Sequence, residues 1–216
     1  MKDLIVSEII FPGKLDIDKA EELLEEASVF HKVDTLNWPS YPYKPDVKFK
    51  IAYCKDQILL KYYVSETYIR AVETKINGDV YKDSCVEFFI SPKKDSYYYN
   101  FEFSCIGTPH VGYGQSAKNR ILLDPSQIKK IKIRSSIGDQ SFEEIKGGHH
   151  WELMVMIPLG TMIYDEGLEL NGLNVNANFY KCGDETTLPH FVSWNPVISN
   201  QPSFHQANYF GRLSFE

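Results

Sequence analysis

Polar and apolar residues alternate in two strand-like runs between residues 79 and 106, and three of the polar ones could act on a ligand: Glu87, Asn100 and Glu102. The runs are separated by Ser-Pro-Lys-Lys-Asp-Ser, which predicts a strand, a turn and a second strand. Successive side chains of a strand point to opposite faces, so one face can pack in a core while the other carries two carboxylates and an amide. A packed scaffold has little use for such a face. We therefore predict that it belongs to a site.

The pairing register of this hairpin decides which chemistry is available. In one register Glu87 lies opposite Glu102, with Cβ atoms ~5 Å apart, which is near the carboxylate spacing of retaining glycosidases. In a register shifted by two residues, Asn100 lies opposite Glu87 instead. The sequence does not specify the register, so a binding face and a pair of catalytic acids are both open.

A second informative stretch covers residues 176 to 215 and the strand-like run that leads into it. Asn174, Asn176 and Asn178 share one strand face, although Asn has a poor strand propensity. The row therefore indicates either hydrogen bonding to a ligand or satisfaction of a sheet edge. Trp194 lies in a proline-rich, loop-like segment, where its ring is either a binding platform or an anchor in the core.

Two basic residues complete the set of candidate ligand contacts. Lys181 follows the asparagine row on the same predicted strand, and Arg120 lies where an adjacent strand could bring it to the polar face of the hairpin. Both can donate charge-assisted hydrogen bonds to a polar ligand.

The four cysteines show no spacing that is typical of a metal site. Cys54, Cys85, Cys105 and Cys182 include no CxxC pair, and each lies in or beside a strand-like run. A chain of this length needs no disulfide framework. We therefore predict four free, buried thiols.

The composition indicates one sizeable domain and argues against several classes of partner. The chain has 216 residues, 43% of them hydrophobic, and no Gly/Ser/Pro-rich linker divides it, so one core is expected. A net charge of −6 without a basic stripe argues against nucleic-acid binding, and no run approaches the ~18 apolar residues of a membrane span. The first residues do not resemble a signal peptide, which predicts a cytoplasmic protein by default, or a secreted one if a leader is missing. We expect a monomer.

Period-2 alternation recurs along most of the chain and predicts nine or more strands without a βαβ repeat. This pattern favours an all-β fold, a single antiparallel β-sandwich of immunoglobulin-like or jelly-roll-like type over residues 1–216. The alternating runs lie around Leu4–Ile10, Val47–Tyr53, Ile58–Val64, Tyr68–Thr74, the hairpin, Ile131–Ile133, Trp151–Ile157, Leu173–Phe179 and Phe210–Phe215.

Residues 1–43 are predicted to add a strand, one short helix and a covering loop to the sandwich. Asp18 and Glu21 form a capping-box-like pair at the start of the helix, and apolar residues recur at helical spacing after it. The loop is rich in proline, so it cannot be a regular ladder strand. Trp38 and Tyr41 in this loop either line a pocket or close an open end of the sandwich.

Five segments, in chain order, resemble the family nine carbohydrate-binding modules. They are VYKDSCVEFFI, YYNFE, WELMVMIP, SWNP and FHQANYFGRLSF. The chain is similar above all to the stand-alone relatives common in Bacteroidetes, within the wider DOMON-like group, and the resemblance extends from about Lys44 to Glu216. It implies an antiparallel β-sandwich. It also implies a site in which xylanase-attached members hold the reducing-end sugar between two tryptophans, beside polar residues, and it implies bound calcium.

The resemblance assigns roles to four residues of this chain. Tyr81 takes the place of the first sandwiching tryptophan, Glu87 matches the sugar-binding glutamate, and Trp194 matches the second ring. Asn100 lies in the strand where the family uses an arginine. Six residues of one regular strand span ~20 Å, so Tyr81 and Glu87 can share one sugar only if the strand begins near Asp83 and Tyr81 folds back in a loop.

The resemblance and the residue pattern together predict non-catalytic binding of an oligosaccharide or polysaccharide. The expected ligand is the end unit of a plant or host polysaccharide, in carbohydrate catabolism, bound by aromatic stacking and polar contacts. Two alternatives stay open: a glycoside-processing enzyme that uses Glu87 and Glu102, and an interaction domain that has lost sugar binding. No cofactor is certain. A structural calcium ion is implied by the resemblance, with only generic candidate ligands in Asp83, Asp95 and Asp184.

Overall fold

The computed structural model describes residues 1–216. Its fourteen strands follow the alternation of apolar residues and form two packed sheets. Two helices, α1 (Ile17–Ala27) and α2 (Pro125–Ile128), accompany them. The strands are β1 (Asp3–Val6), β2 (His31–Lys32), β3 (Thr35–Leu36), β4 (Asp46–Cys54), β5 (Gln57–Ala71), β6 (Cys85–Ser91), β7 (Tyr98–Ser104), β8 (Pro109–Gly114), β9 (Arg120–Leu122), β10 (Lys132–Ser135), β11 (Phe142–Pro158), β12 (Asn174–Cys182), β13 (Phe191–Ser193) and β14 (Gly211–Phe215).

The large sheet has the order β1-β14-β12-β6-β7-β8-β9, with β13 beside β12 and β3 beside β13. The small sheet has the order β10-β11-β5-β4-β2. The predicted β-sandwich is thus confirmed. Its pairing is antiparallel throughout, with the exception that β1 pairs in parallel with β14. The run predicted around Tyr68–Thr74 is the end of the long strand β5 rather than a strand of its own.

The main core lies between the two sheets and receives the apolar residues that alternate along their strands. Phe179 of β12 stacks on Phe49 of β4 across the interface, with ring centroids 3.9 Å apart, and on Phe88 of the neighbouring strand β6 at 5.0 Å. This face of the large sheet is its inner face. Because Glu87 and Glu102 alternate with the inward residues, they point to the opposite, outer face.

The outer face of the large sheet is also covered. Trp38 from the proline-rich loop packs there against Phe191 and Phe204, and its indole N–H donates to the Ser199 carbonyl oxygen at 2.9 Å. The loop therefore covers a sheet face instead of closing an end of the sandwich. The buried residues of this outer cluster are Trp38, Val80, Cys85, Phe89, Tyr98, Tyr180, Cys182, Val197, Phe204 and Phe210.

Helix α1 covers the small sheet, where Ala20 and Leu24 bury against Leu59 and Met154. Its N-cap is Asp16, whose carboxylate accepts from the Lys19 N–H at 2.9 Å. The helix cap therefore lies two residues before the predicted one at Asp18. The sequence also did not predict the single turn of α2. No helix of the structure is both long and apolar enough to cross a membrane.

Candidate functional site

A cleft opens above the outer face of the large sheet, where β12, β6 and β7 lie side by side. Its volume is about 380 Å³, within the ~300–1,000 Å³ of small-molecule sites. The walls combine aromatic rings, carboxylates, a guanidinium group and an imidazole. The residues that line it are Tyr81, Glu87, Glu102, Ala117, Arg120, Cys182, Asp184, Phe191, Pro202, Ser203, Phe204 and His205.

The hairpin of β6 and β7 has the register that sets Glu87 directly opposite Glu102. Asn100 lies opposite Phe89 instead, two pairs further along. Both glutamates are almost fully buried and line the floor of the cleft. The structure therefore places two carboxyl groups side by side beneath a cavity.

Tyr81 reaches the same cleft from a short 3-10 turn, Val80–Lys82, that precedes β6. Strand β6 begins only at Cys85, so Tyr81 lies before the strand, in the fold-back segment that a site shared with Glu87 requires. The turn folds back towards the end of β12, where the Asp184 N–H donates to the Tyr81 carbonyl oxygen at 3.1 Å. This fold-back brings Tyr81 and Glu87 to one cavity although six residues separate them.

Arg120, the first residue of the edge strand β9, closes the cleft on the β7 side. One of its guanidinium nitrogens lies 3.2 Å from Glu102 Oε1 and 3.3 Å from His205 Nε2. Asn100 donates to the same Glu102 oxygen at 2.8 Å. Asn100 is fully buried and does not line the cavity. It therefore orients Glu102 through this hydrogen bond and does not reach the cavity itself.

Burial sets the charge state of the floor. It raises the pKa of Glu87 well above its usual value, and the neighbouring charge of Glu102 adds to the effect. Burial and the charge of Glu102 also raise the pKa of Asp184 to about 7. Burial, followed by the charge of Arg120, lowers the pKa of His205 to about 3. At neutral pH His205 is therefore uncharged, and its ring adds no second cation beside the guanidinium group of Arg120.

Trp194 does not flank the cleft, contrary to the sequence prediction. Its backbone N–H donates to the Phe179 carbonyl oxygen at 2.8 Å, and this bond continues the pairing of β13 with β12. The ring then packs edge-on against Phe179 in the main core and lies against the backbone of Gly211, where a Cβ atom would collide with it. The aromatic wall comes instead from Phe191 and Phe204.

Lys181 and Asn178, the other predicted contacts on β12, also lie outside the cavity. Lys181 points to the inner face, opposite Val86, and pairs with Glu66 at 2.9 Å between the sheets. Asn178 points to the outer face, but its amide serves the loop after β13: Oδ1 accepts from the Asn195 N–H at 2.8 Å, and Nδ2 donates to the Asn195 carbonyl oxygen at 3.0 Å. Both residues hold the scaffold together.

The aspartates suggested as calcium ligands do not converge on one point. Asp83 is fully buried and forms an ion pair with Arg70, and its other oxygen accepts from the N–H groups of Val72 and Glu73 at 2.9 and 2.7 Å. These contacts satisfy its carboxylate, which therefore does not fit a calcium ligand. Asp95 accepts from the Tyr97 N–H within its own turn. Calcium binding stays a prediction.

Cys182, Phe191, Phe204 and His205 line the cleft, although the sequence assigned none of them to the sugar site. Strand alternation from the asparagine row places Cys182 on the same face as Asn178 and Tyr180, so that signal was available. The other three come from irregular or very short segments, which have no periodicity to follow.

The model of carbohydrate-binding family 9 matches residues 18–215. Among solved structures, the chain is similar to a protein from Bacteroides uniformis ATCC 8492 that carries a provisional description as carbohydrate-binding. The two share 39% identity and a TM-score of 0.95 over 100% of this chain and 99% of that one. No protein of curated function matches the chain.

More distant structures share the fold. A family 9 module from Caldicellulosiruptor kristjanssonii in complex with glucose has 11% identity and a TM-score of 0.62 over 100% of this chain and 96% of that one. The same kind of module in complex with cellotriose has 12% identity and a TM-score of 0.63 over 100% and 94%. The family match spans nearly the whole sequence, and we conclude that the chain belongs to carbohydrate-binding family 9.

Proposed function

We propose that the protein is a non-catalytic carbohydrate-binding module that holds one sugar unit of an oligosaccharide or polysaccharide in the cleft. The observation that carries this proposal is the pairing of aromatic rings with a buried polar floor in one cavity of about 380 Å³. Sugars present an apolar C–H face and a rim of hydroxyls, and this combination suits them. Family membership supports the proposal, and so do the glucose and cellotriose complexes of the distant family 9 modules.

Tyr81 supplies the platform in this proposal. Its side chain is partly exposed on the cleft, and its ring forms none of the close aromatic pairs found elsewhere in the outer cluster. By contrast, the Phe204 ring stacks on Tyr180 at 4.1 Å. In this proposal the sugar ring stacks on Tyr81, while Phe191 and Phe204 supply the other aromatic groups of the lining.

The polar groups of the floor select hydroxyls. Arg120 provides a donor, Glu102 an acceptor that Asn100 and Arg120 hold in place, and the carboxyl group of Glu87 lines the same floor. A sugar hydroxyl also donates and accepts, so each of these groups can be satisfied by the same class of ligand.

The opposed pair Glu87 and Glu102 keeps a glycoside-processing enzyme as a second candidate. Burial raises the pKa of Glu87, whereas Glu102 accepts from Asn100 and Arg120, so the two carboxyl groups have different environments, as those of glycosidases do. Carbohydrate-binding family 9 is a family of non-catalytic modules, and both glutamates are almost fully buried. We therefore favour binding. A third candidate, an interaction domain without sugar affinity, has no feature of the cleft in its favour.

A glycan array distinguishes these functions. The purified protein is screened with and without EDTA, in parallel with Tyr81→Ala and with Glu22→Ala on the helix, far from the cleft. We expect the parent and Glu22→Ala to retain one class of glycan and Tyr81→Ala to lose it. Release of reducing sugar from the bound glycan would support the enzyme instead. Absence of binding to every glycan would support the interaction domain.

A further inference from the structure

A second constellation lies at one end of the cleft floor, where β6 and β12 pair. Their register sets Cys85 directly opposite Cys182, and Glu87 follows two residues later on the same face of β6. The two sulfur atoms and a carboxylate oxygen of Glu87 lie within 4.8 Å of one another, and Cys182 Sγ is 3.1 Å from Glu87 Oε1. Both cysteines are free and all three residues are buried.

We propose that Cys85, Glu87 and Cys182 form a binding site for a soft divalent cation of the zinc class. Two thiolates and one carboxylate form a ligand set that zinc uses. With Zn–S bonds of ~2.3 Å, tetrahedral sulfur ligands lie roughly 3.8 Å apart, so the observed cluster needs only a small contraction. Calcium and magnesium prefer oxygen ligands and do not fit a site with two sulfur atoms.

The charges around the cluster favour a cation. The nearest basic side chains are engaged elsewhere: Arg120 contacts Glu102, and Lys181 lies on the opposite face of β12. A divalent cation at the cluster would therefore meet no basic side chain among its ligands, and the carboxyl group of Glu102 lies opposite Glu87 on the neighbouring strand.

The fourth coordination position opens towards the cleft, because Cys182 and Glu87 both line that cavity. A water molecule or a hydroxyl group of a bound ligand can occupy it. The site lies beyond the proposed sugar function, but the two share Glu87. A bound cation would engage a carboxylate oxygen of Glu87 and so reduce its availability to a sugar.

Titration of the reduced, metal-free protein with Co²⁺ alone tests the proposal, and Zn²⁺ then competes for the site. We expect one equivalent of Co²⁺ with a thiolate-to-metal charge-transfer band and the intense visible bands of tetrahedral cobalt, both removed by Zn²⁺. Cys182→Ser should weaken binding by at least about 100-fold, because loss of a mere outer partner of a metal ligand already costs ~10- to 100-fold. Cys54→Ala, on the other sheet, should bind like the parent.

A spectrum without the thiolate band, or unchanged affinity in Cys182→Ser, would overturn the proposal. If Cys182→Ser does not fold, Glu87→Gln replaces it, since a glutamine closely matches a protonated glutamate in shape. This variant should bind Co²⁺ at least about 10-fold more weakly, and parent-like affinity would contradict the site. A Cys85–Cys182 disulfide that persists in reductant would also refute it. Because the probe is the metal alone, the result does not depend on whether the protein binds sugar.

Discussion

Lys181 and Cys182 are consecutive residues of β12, yet they belong to two polar clusters of opposite character. Lys181 lies between the sheets, 2.9 Å from Glu66 and 2.8 Å from His190 Nε2. The Trp151 indole donates to the other Glu66 oxygen at 2.6 Å. Burial and the charge of Lys181 lower the pKa of His190 well below its usual value, so the cluster contains one positive and one negative charge.

The cluster around Cys182 lies on the outer face and contains an excess of acidic groups. Cys85, Glu87, Glu102, Cys182 and Asp184 are balanced by Arg120 alone, and the cavity leaves several of them in reach of a ligand. The comparison shows that buried polarity by itself does not indicate a site. A cluster whose charged groups are paired between the sheets holds the fold, whereas a cluster with surplus acidic groups beside a cavity can bind.

The largest effect is expected from the balanced cluster. Lys181→Met leaves the Glu66 carboxylate buried without its partner and should lower the free energy of unfolding by ~3–5 kcal/mol. Urea denaturation measures this loss, and the double variant Lys181→Met with Glu66→Gln should recover part of it. Glycan affinity of the folded fraction should not change. A Lys181→Met protein with parent-like stability would refute the structural role of the pair.

A loss of similar size is expected for the ring in the core. Trp194→Ala creates a cavity against Phe179 and should lower the free energy of unfolding by ~3–5 kcal/mol. Trp194→Phe, which keeps an aromatic ring there, should lose much less. Thermal or chemical denaturation compares the two. Parent-like stability of Trp194→Ala would instead support the binding platform predicted from the sequence.

Arg120→Ala tests the unbalanced cluster. Loss of a charge-assisted hydrogen bond costs ~1.5–3 kcal/mol, so affinity for the glycan that the array identifies should fall by roughly 10- to 150-fold. Lys118→Ala removes an exposed basic side chain from the loop just before Arg120 and serves as the matched control. Calorimetric titration measures both variants. Equal affinities would show that the guanidinium group does not contact the sugar.

A separate prediction concerns pH. The pKa of His205 is about 3 in the folded protein, against an ordinary value of 6.5, so between these values the unfolded chain binds more protons than the folded one. The free energy of unfolding should therefore rise with pH across this window, with a contribution from His205 of about 1.4 kcal/mol per pH unit. Urea unfolding of the parent and of His205→Gln measures it, and the variant should show the shallower dependence. Identical slopes would contradict a neutral His205.

The sequence predicted the sandwich well because alternation of apolar residues specifies which face of each strand is buried. It predicted the place of Glu87 and Asn100 on the outer face for the same reason. Alternation does not apply to Tyr81, which lies in a 3-10 turn before the strand. Alternation does place Lys181 on the inner face, but its charge favoured a ligand contact, and it is tolerated inside because Glu66 of the other sheet compensates it. Such compensation depends on a long-range contact that no local pattern contains.

The cleft could be predicted only in part for a related reason. Trp194 lies in a segment without regular periodicity, so nothing local decided whether its ring turns to the core or to a surface. The cluster of Cys85 and Cys182 depends on the pairing of two strands that are nearly a hundred residues apart, and spacing along the chain gave no sign of it. A site assembled from β6, β7, β12 and two loops becomes visible once the register is known.

The most direct test of the account compares the two aromatic positions that the sequence assigned to one site. Calorimetry on the glycan found by the array is performed with the parent, Tyr81→Ala and Trp194→Phe. We expect Tyr81→Ala to lose at least about 2 kcal/mol of binding free energy, as interface tyrosines at hot spots do, which is roughly 30-fold in affinity. Trp194→Phe should stay within about 3-fold of the parent. Retained affinity in Tyr81→Ala together with loss in Trp194→Phe would contradict the proposed cleft.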